Sequence, residues 1–149
     1  ILGYMLPILP IALLQSLLCY GVAVLLGLSI TPRILSALLL ILPISLFFIS
    51  TGLLCGSILN VKQAGSICGA LFTNLTAWLS GTWFDLELVG GGFQKVAFAL
   101  PFVHAAELER AAIHGNTGDI LPHLCWVLGY AIAATALAVW FFLRQMKQQ

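Results

Sequence analysis

An all-α integral membrane fold is what this chain predicts, and three observations carry it. Hydrophobic residues make up 61% of the 149 positions and charged residues only 7%, too few to coat a soluble domain of this length. The mean hydropathy is +1.09. The apolar runs are far longer than barrel strands, and helices satisfy their own backbone groups in lipid. The pattern predicts four transmembrane helices, at about 8–29, 34–59, 64–80 and 119–143. An extracellular re-entrant or interfacial helical segment is expected at about 81–115, between the last two.

A net charge of +1 offers no basic patch, so nucleic acid is not an expected partner. Cys19, Cys55, Cys68 and Cys125 lie inside apolar runs without a CxxC pair and read as small buried hydrophobes. The chain opens on Ile1 within an apolar run, with no charged region before it. That is not a signal peptide, and the sequence reads as one that begins partway through a longer protein.

In the first span, Pro7 and Pro10 are expected to kink or end the opening turns. Gln15, Ser16 and Tyr20 recur at helical spacing and are expected against a neighbouring helix. A turn at 29–33 leads into the second span, with Pro43 as a kink. Gly52 and Gly56, then Gly65 and Gly69, form two small-xxx-small pairs on consecutive helices, the geometry of a tight helix hairpin.

In the third span, Thr73, Asn74 and Thr76 sit at mid-membrane depth, and Ser80-Gly81 breaks the helix. An intramembrane Asn reads as a pathway residue or as an interhelical hydrogen-bonding group. Asp85 and Glu87 demand water, Gly90–Gly92 form a flexible corner, and Pro101 starts a new helix. On that helix His104, Glu107, Arg110 and His114 fall within one arc of ~120°, opposite Ala105, Leu108 and Ala112. This reads as a solvated stripe with Glu107 and Arg110 as an i,i+3 pair, not as a metal site, because His104 and His114 are turns apart. Gly115-Asn116 is the expected C-cap, and Asp119 the expected N-cap of the last span.

Together these features resemble the C-terminal four helices of type-2 ATP-binding-cassette (ABC-2) transporter permeases. The residues that carry the resemblance are the small-residue hairpin, the Leu79-Ser80-Gly81 break, Pro101-Phe102 some twenty residues later, and a last span with a basic tail at Arg144 and Lys147. It covers essentially the whole chain, 1–149, as one unit. Where that family often has proline after the Ser-Gly break, this chain has Asp85 and then three glycines.

The resemblance implies a permease of an ATP-driven exporter. Such a permease forms half of a pathway for amphipathic, lipidic, drug-like or glycan cargo and works by alternating access. It implies as partners a second permease copy, membrane lipids and a cytosolic ABC ATPase subunit or domain that uses ATP and Mg. No cofactor, metal or catalytic residue is expected in this chain. It has no GxxxxGK[ST] sequence to bind ATP itself.

By the same match Thr73, Asn74 and Ser80 lie on the translocation pathway. Gly81, Asp85, Pro101, Phe102 and Glu107 belong to an external cap. The basic tail places the protein in the cell membrane as a multi-pass chain with a cytosolic C-terminus. Two other classes are weighed beside this. One is a membrane-embedded enzyme using the external stripe of His104, Glu107 and His114. The other is an ATP-independent channel or carrier, which the lack of ionisable residues at mid-depth in the spans disfavours.

Overall fold

The computed structural model describes residues 2–146, and these are helical with no strand among them. Lys147, expected in the basic tail, lies outside the described residues. The first helix, α1 (Leu2–Leu25), keeps Pro7 and Pro10 inside one continuous element. The prolines therefore do not end its opening turns. Most of α1 faces outward, with Leu14, Leu17, Leu18 and Leu25 each more than half exposed. That is the surface a lipid-facing helix presents.

α2 (Arg33–Ile58) also runs through its proline, Pro43. After Asn60 come α3 (Val61–Ser66), a π-helical stretch at Ile67–Phe72, and α4 (Thr73–Leu79). Then follow α5 (Leu86–Val89), α6 (Gly91–Ala99), α7 (Pro101–His114) and α8 (Thr117–Met146).

The expectation of four spans plus a re-entrant segment is corrected here. Among the described residues three helices are long and apolar enough to cross a membrane: Met5–Leu25, Arg33–Ile58 and Thr117–Arg144. The stretch expected to span at 64–80 is divided by a π-helical turn. Its polar side chains bond back to their own helix: Thr73 Oγ1 donates to the Cys68 carbonyl at 3.2 Å, and Asn74 Nδ2 to the Ala70 carbonyl at 2.6 Å. Such bonds compete with the regular ladder, and they fall on carbonyls inside the widened turn.

At 81–115 the chain forms the helices α5, α6 and α7 rather than a re-entrant loop. Leu100 is extended (φ −99°, ψ 155°) between α6 and α7, as the residue before a proline prefers. Pro101 then opens α7 at its first position, where the missing N–H costs nothing.

α7 runs antiparallel to the first half of α2. At one end Phe102 packs on Phe47, ring centroids 6.1 Å apart; at the other, Arg33 Nη1 donates to the His114 carbonyl at 3.1 Å. The chain reverses at Gly115, left-handed at φ 80°, ψ 23°. It then returns as α8, which starts at Thr117, two residues before the expected cap Asp119. α8 lies parallel to α2, and Ser50 and Thr135 share a hydrogen bond of 2.7 Å between them.

The core sits where α2, α7 and α8 meet, around Phe47, Phe102, Leu108, Val127 and Ala131. Phe72 reaches it from the π stretch, 5.5 Å from the Phe102 ring in an edge-to-face contact. In lipid no hydrophobic force drives helices together, so such dispersion contacts and interhelical hydrogen bonds hold the bundle.

Candidate functional site

α7 is the hub of the polar contacts. Its apolar residues Ala105, Leu108 and Ala112 are buried, and three other faces each carry a polar group to a different neighbour.

Towards α1, Tyr20 Oη donates to Glu109 Oε2 at 2.9 Å. The other oxygen, Oε1, is buried without a partner. Burial pushes the Glu109 carboxyl up to about 7, against the opposing pull of the Tyr20 bond. Glu109 stands on the wall of a cavity of about 610 Å³ between α1, α2, α4 and α7. Gln15, Ser16, Ser45, Thr76 and Ser80 supply its other polar groups, while Ile44, Phe48 and Phe102 give it apolar walls. The expectation that Gln15, Ser16 and Tyr20 face a neighbouring helix finds them around this space.

Towards α8, His104 Nδ1 lies 2.8 Å from His123 Nδ1, and His104 Nε2 lies 3.0 Å from the Phe98 carbonyl. A carbonyl only accepts, so Nε2 carries the proton, Nδ1 accepts, and His123 donates. The His104 ring also stacks on Trp126 at 4.8 Å. Burial holds the His104 imidazole below the usual histidine range. His104 is 6% exposed, so the solvated stripe expected from the sequence does not include it. With both ring nitrogens engaged, it is not available as an external catalytic group beside the exposed His114.

Towards the turn after α4, Arg110 pairs with Glu107 and donates through Nη2 to the Gly81 carbonyl at 3.0 Å. A second cavity, of about 660 Å³, opens there, lined by Ser80–Glu87 with Glu107, Arg110 and His123. Asp85 caps α5 by accepting from the Glu87 N–H at 3.0 Å. Gly81 adopts φ +67°, which glycine takes without strain. Ser80 is buried between the two cavities and touches both, its Oγ 2.6 Å from Thr82 Oγ1.

Of the other expected site residues, Pro101 and Phe102 are buried in the core at the start of α7. Thr73 and Asn74 are exposed on α4 and line neither cavity. Among the described residues, a Cβ at Gly52, Gly56, Gly65 or Gly69 would meet nothing within 4 Å beyond its own helix backbone. Among the described residues no group of three His, Cys, Asp or Glu side chains comes together to hold a metal ion.

Sequence reasoning missed Glu109. Its signal was in the spacing: Glu109 follows Ala105 by four and precedes Ala112 by three, which sets a carboxylate on the apolar face of the helix.

The family model for the ABC-2 type transporter matches residues 1–114, from the start of the chain to the last residue of α7. The chain belongs to the ABC-2 type transporter family. Neither a curated protein nor a solved structure matches it significantly. As an ABC-2 type chain it is an all-α, apolar membrane protein. The matched region holds the polar contacts of Glu109 and Arg110 and all of the first cavity's lining.

Proposed function

We propose that this chain is the membrane permease of an ATP-driven exporter, forming half of a translocation pathway for an amphipathic, lipidic, drug-like or glycan cargo. The observation that carries the reading is the cavity of about 610 Å³ beside α7, with a few convergent polar groups set in apolar walls. A cavity of that size and character suits a drug-sized amphipathic molecule.

A second copy supplies the other half of the pathway. Thr73 and Asn74, exposed on α4 away from this chain's own cavities, stand towards that copy, and the open glycine faces at 52, 56, 65 and 69 are free for helix packing. Ser80, between the two cavities, lies on the route from one to the other. Gly81, Asp85, Pro101, Phe102 and Glu107 belong to the cap over its outer end.

The protein is multi-pass in the cell membrane. α2 and α8 run parallel, so Lys62 and the basic tail at Arg144 share one end. A basic tail beside the last span supports reading that end, with the C-terminus, as cytosolic, although Arg33, Lys95 and Arg110 lie towards the other. A cytosolic ATPase subunit or domain, using ATP and Mg, drives alternating access. Co-purification of the full-length parent in mild detergent tests this. An ATPase subunit or upstream ATPase domain is expected at near-equal stoichiometry, with ATP hydrolysis that responds to cargo. A parent that purifies intact without either would overturn the proposal.

A further inference from the structure

The cavity beside α7 contains one carboxylate, Glu109, and among the described residues that line it there is no Lys, Arg or His. Among the described residues Arg110, next in sequence, is committed to Glu107 and the Gly81 carbonyl. Arg33 is committed to the His114 carbonyl, Arg144 stacks over Trp140, and Lys62 and Lys95 are exposed outside the cavity lining. Among the described residues the hydrogen-bond partner of Glu109 is the Tyr20 hydroxyl, and that holds only Oε2. Oε1 is buried and unpartnered. An ionised carboxylate oxygen without a partner in an apolar setting is costly; a proton relieves that cost, and a cation from outside the chain would relieve it while keeping the charge.

The shape of the space says which partner. Phe48 and Phe102 line the same cavity as Glu109, with Ile41, Ile44 and Ile49 around them. An aromatic face attracts a cation, and the aliphatic walls accept a hydrocarbon body. An anionic cargo would meet an unscreened like charge, and a neutral one would leave the carboxylate unpaired.

We infer that Glu109 and Tyr20 form the recognition point for the positively charged head of an amphipathic cation, with Phe48 and Phe102 flanking the charge and the apolar walls taking its body. This deepens the reading of the cavity as the cargo site and rests on it. With the cavity empty, burial holds the carboxyl up to about 7, so near neutrality a proton competes for the same position. A cation that binds near neutrality therefore displaces that proton into solution. The other titratable groups around the cavity are Tyr20 and Cys19 of α1, neither of which offers positive charge.

The test uses the full-length parent in lipid nanodiscs. Tetraphenylphosphonium, which carries a fixed charge and no proton of its own, is compared with neutral triphenylphosphine oxide. The expected result is phosphonium binding that weakens about tenfold or more in Glu109→Gln, while the neutral compound binds both proteins alike. Glu109→Asp retains the preference for the cation. Affinity falls by about tenfold per pH unit once the carboxyl is protonated, and proton release accompanies binding in the native protein but not in Glu109→Gln.

Equal phosphonium affinity in the native protein and Glu109→Gln, or no phosphonium binding by the native protein, overturns the assignment. The two readings fail separately. Absence of an ATPase partner overturns the exporter and leaves cation binding measurable. Unchanged affinity in Glu109→Gln overturns the cation site whether or not an ATPase is present.

Discussion

The Nδ1 atoms of His104 and His123 stand 2.8 Å apart and join α7 to α8 through a single shared proton. A second proton on His104 would set two N–H groups against each other and break the bond so long as His123 keeps its own proton on Nδ1. Burial is the main cause of the lowered His104 pKa, and the folded chain binds fewer protons there than the unfolded chain does. The stabilisation is therefore present above the ordinary histidine value of about 6.5 and is lost as the pH falls below it. Thermal unfolding in detergent should show that loss, and His104→Phe should flatten it. His123→Leu should cost about 1–3 kcal/mol at neutral pH by orphaning the buried Nδ1 of His104.

Glu109 titrates with the opposite sign. The folded carboxyl keeps its proton up to about 7 instead of the usual 4.5, so its contribution is fully present at acid pH and is lost as pH rises through that window. Glu109→Gln should abolish this decline, and without ligand the variant should unfold at a temperature equal to or above that of the native protein at pH 8. A variant less stable than the native chain at that pH would count against a strained carboxylate.

Gly115 is expected to resist substitution. Its backbone is left-handed, and an added Cβ would lie 2.7 Å from Arg33 Cζ and 2.8 Å from Nε. Gly115→Ala should cost about 1–2 kcal/mol from the backbone alone, with a further loss as the guanidinium leaves the end of α7. A smaller penalty is expected in an Arg33→Gln background, where the clash is reduced. Denaturant unfolding of the two single variants and the double variant checks this.

Phe102 carries the aromatic contacts among α2, the π stretch and α7. Phe102→Ala should destabilise the protein by about 3 kcal/mol or more, and Phe102→Leu by much less. By contrast, the Ser50–Thr135 bond joins two long helices in lipid. A Ser50→Ala, Thr135→Val double-mutant cycle should return a coupling of about 0.6 kcal/mol.

Much of the bundle was legible in the sequence, because α1, α2 and α8 are long apolar runs whose helical state lipid enforces. Pro101 at the head of α7 and Gly115 at its end were legible for a local reason: each meets a backbone requirement few other residues satisfy. The π-helical break was not. Thr73 and Asn74 bond back to the Cys68 and Ala70 carbonyls within it, and nothing in an apolar run with scattered hydroxyls says which way such side chains will turn. The site was half legible for another reason. A helical wheel separates a polar from an apolar side but does not say how many neighbours surround a helix. α7 is enclosed by α1, α2 and α8, so His104, on the edge of the polar arc, is inside, and Glu109, on the apolar arc, points to a cavity.

The widened turn at Ile67–Phe72 bears on how this chain tolerates changes in length. Removing one residue from a regular α-helix rotates everything beyond it by about 100° and takes each side chain off its partner. A π turn holds one residue more than its α-helical equivalent, so a deletion within 67–72 can be absorbed by tightening the coil. Asn60 and Gln63 before it, and Ser80 after it, would keep their facing. Elsewhere along the three long helices the same loss of a single codon has no such slack to draw on.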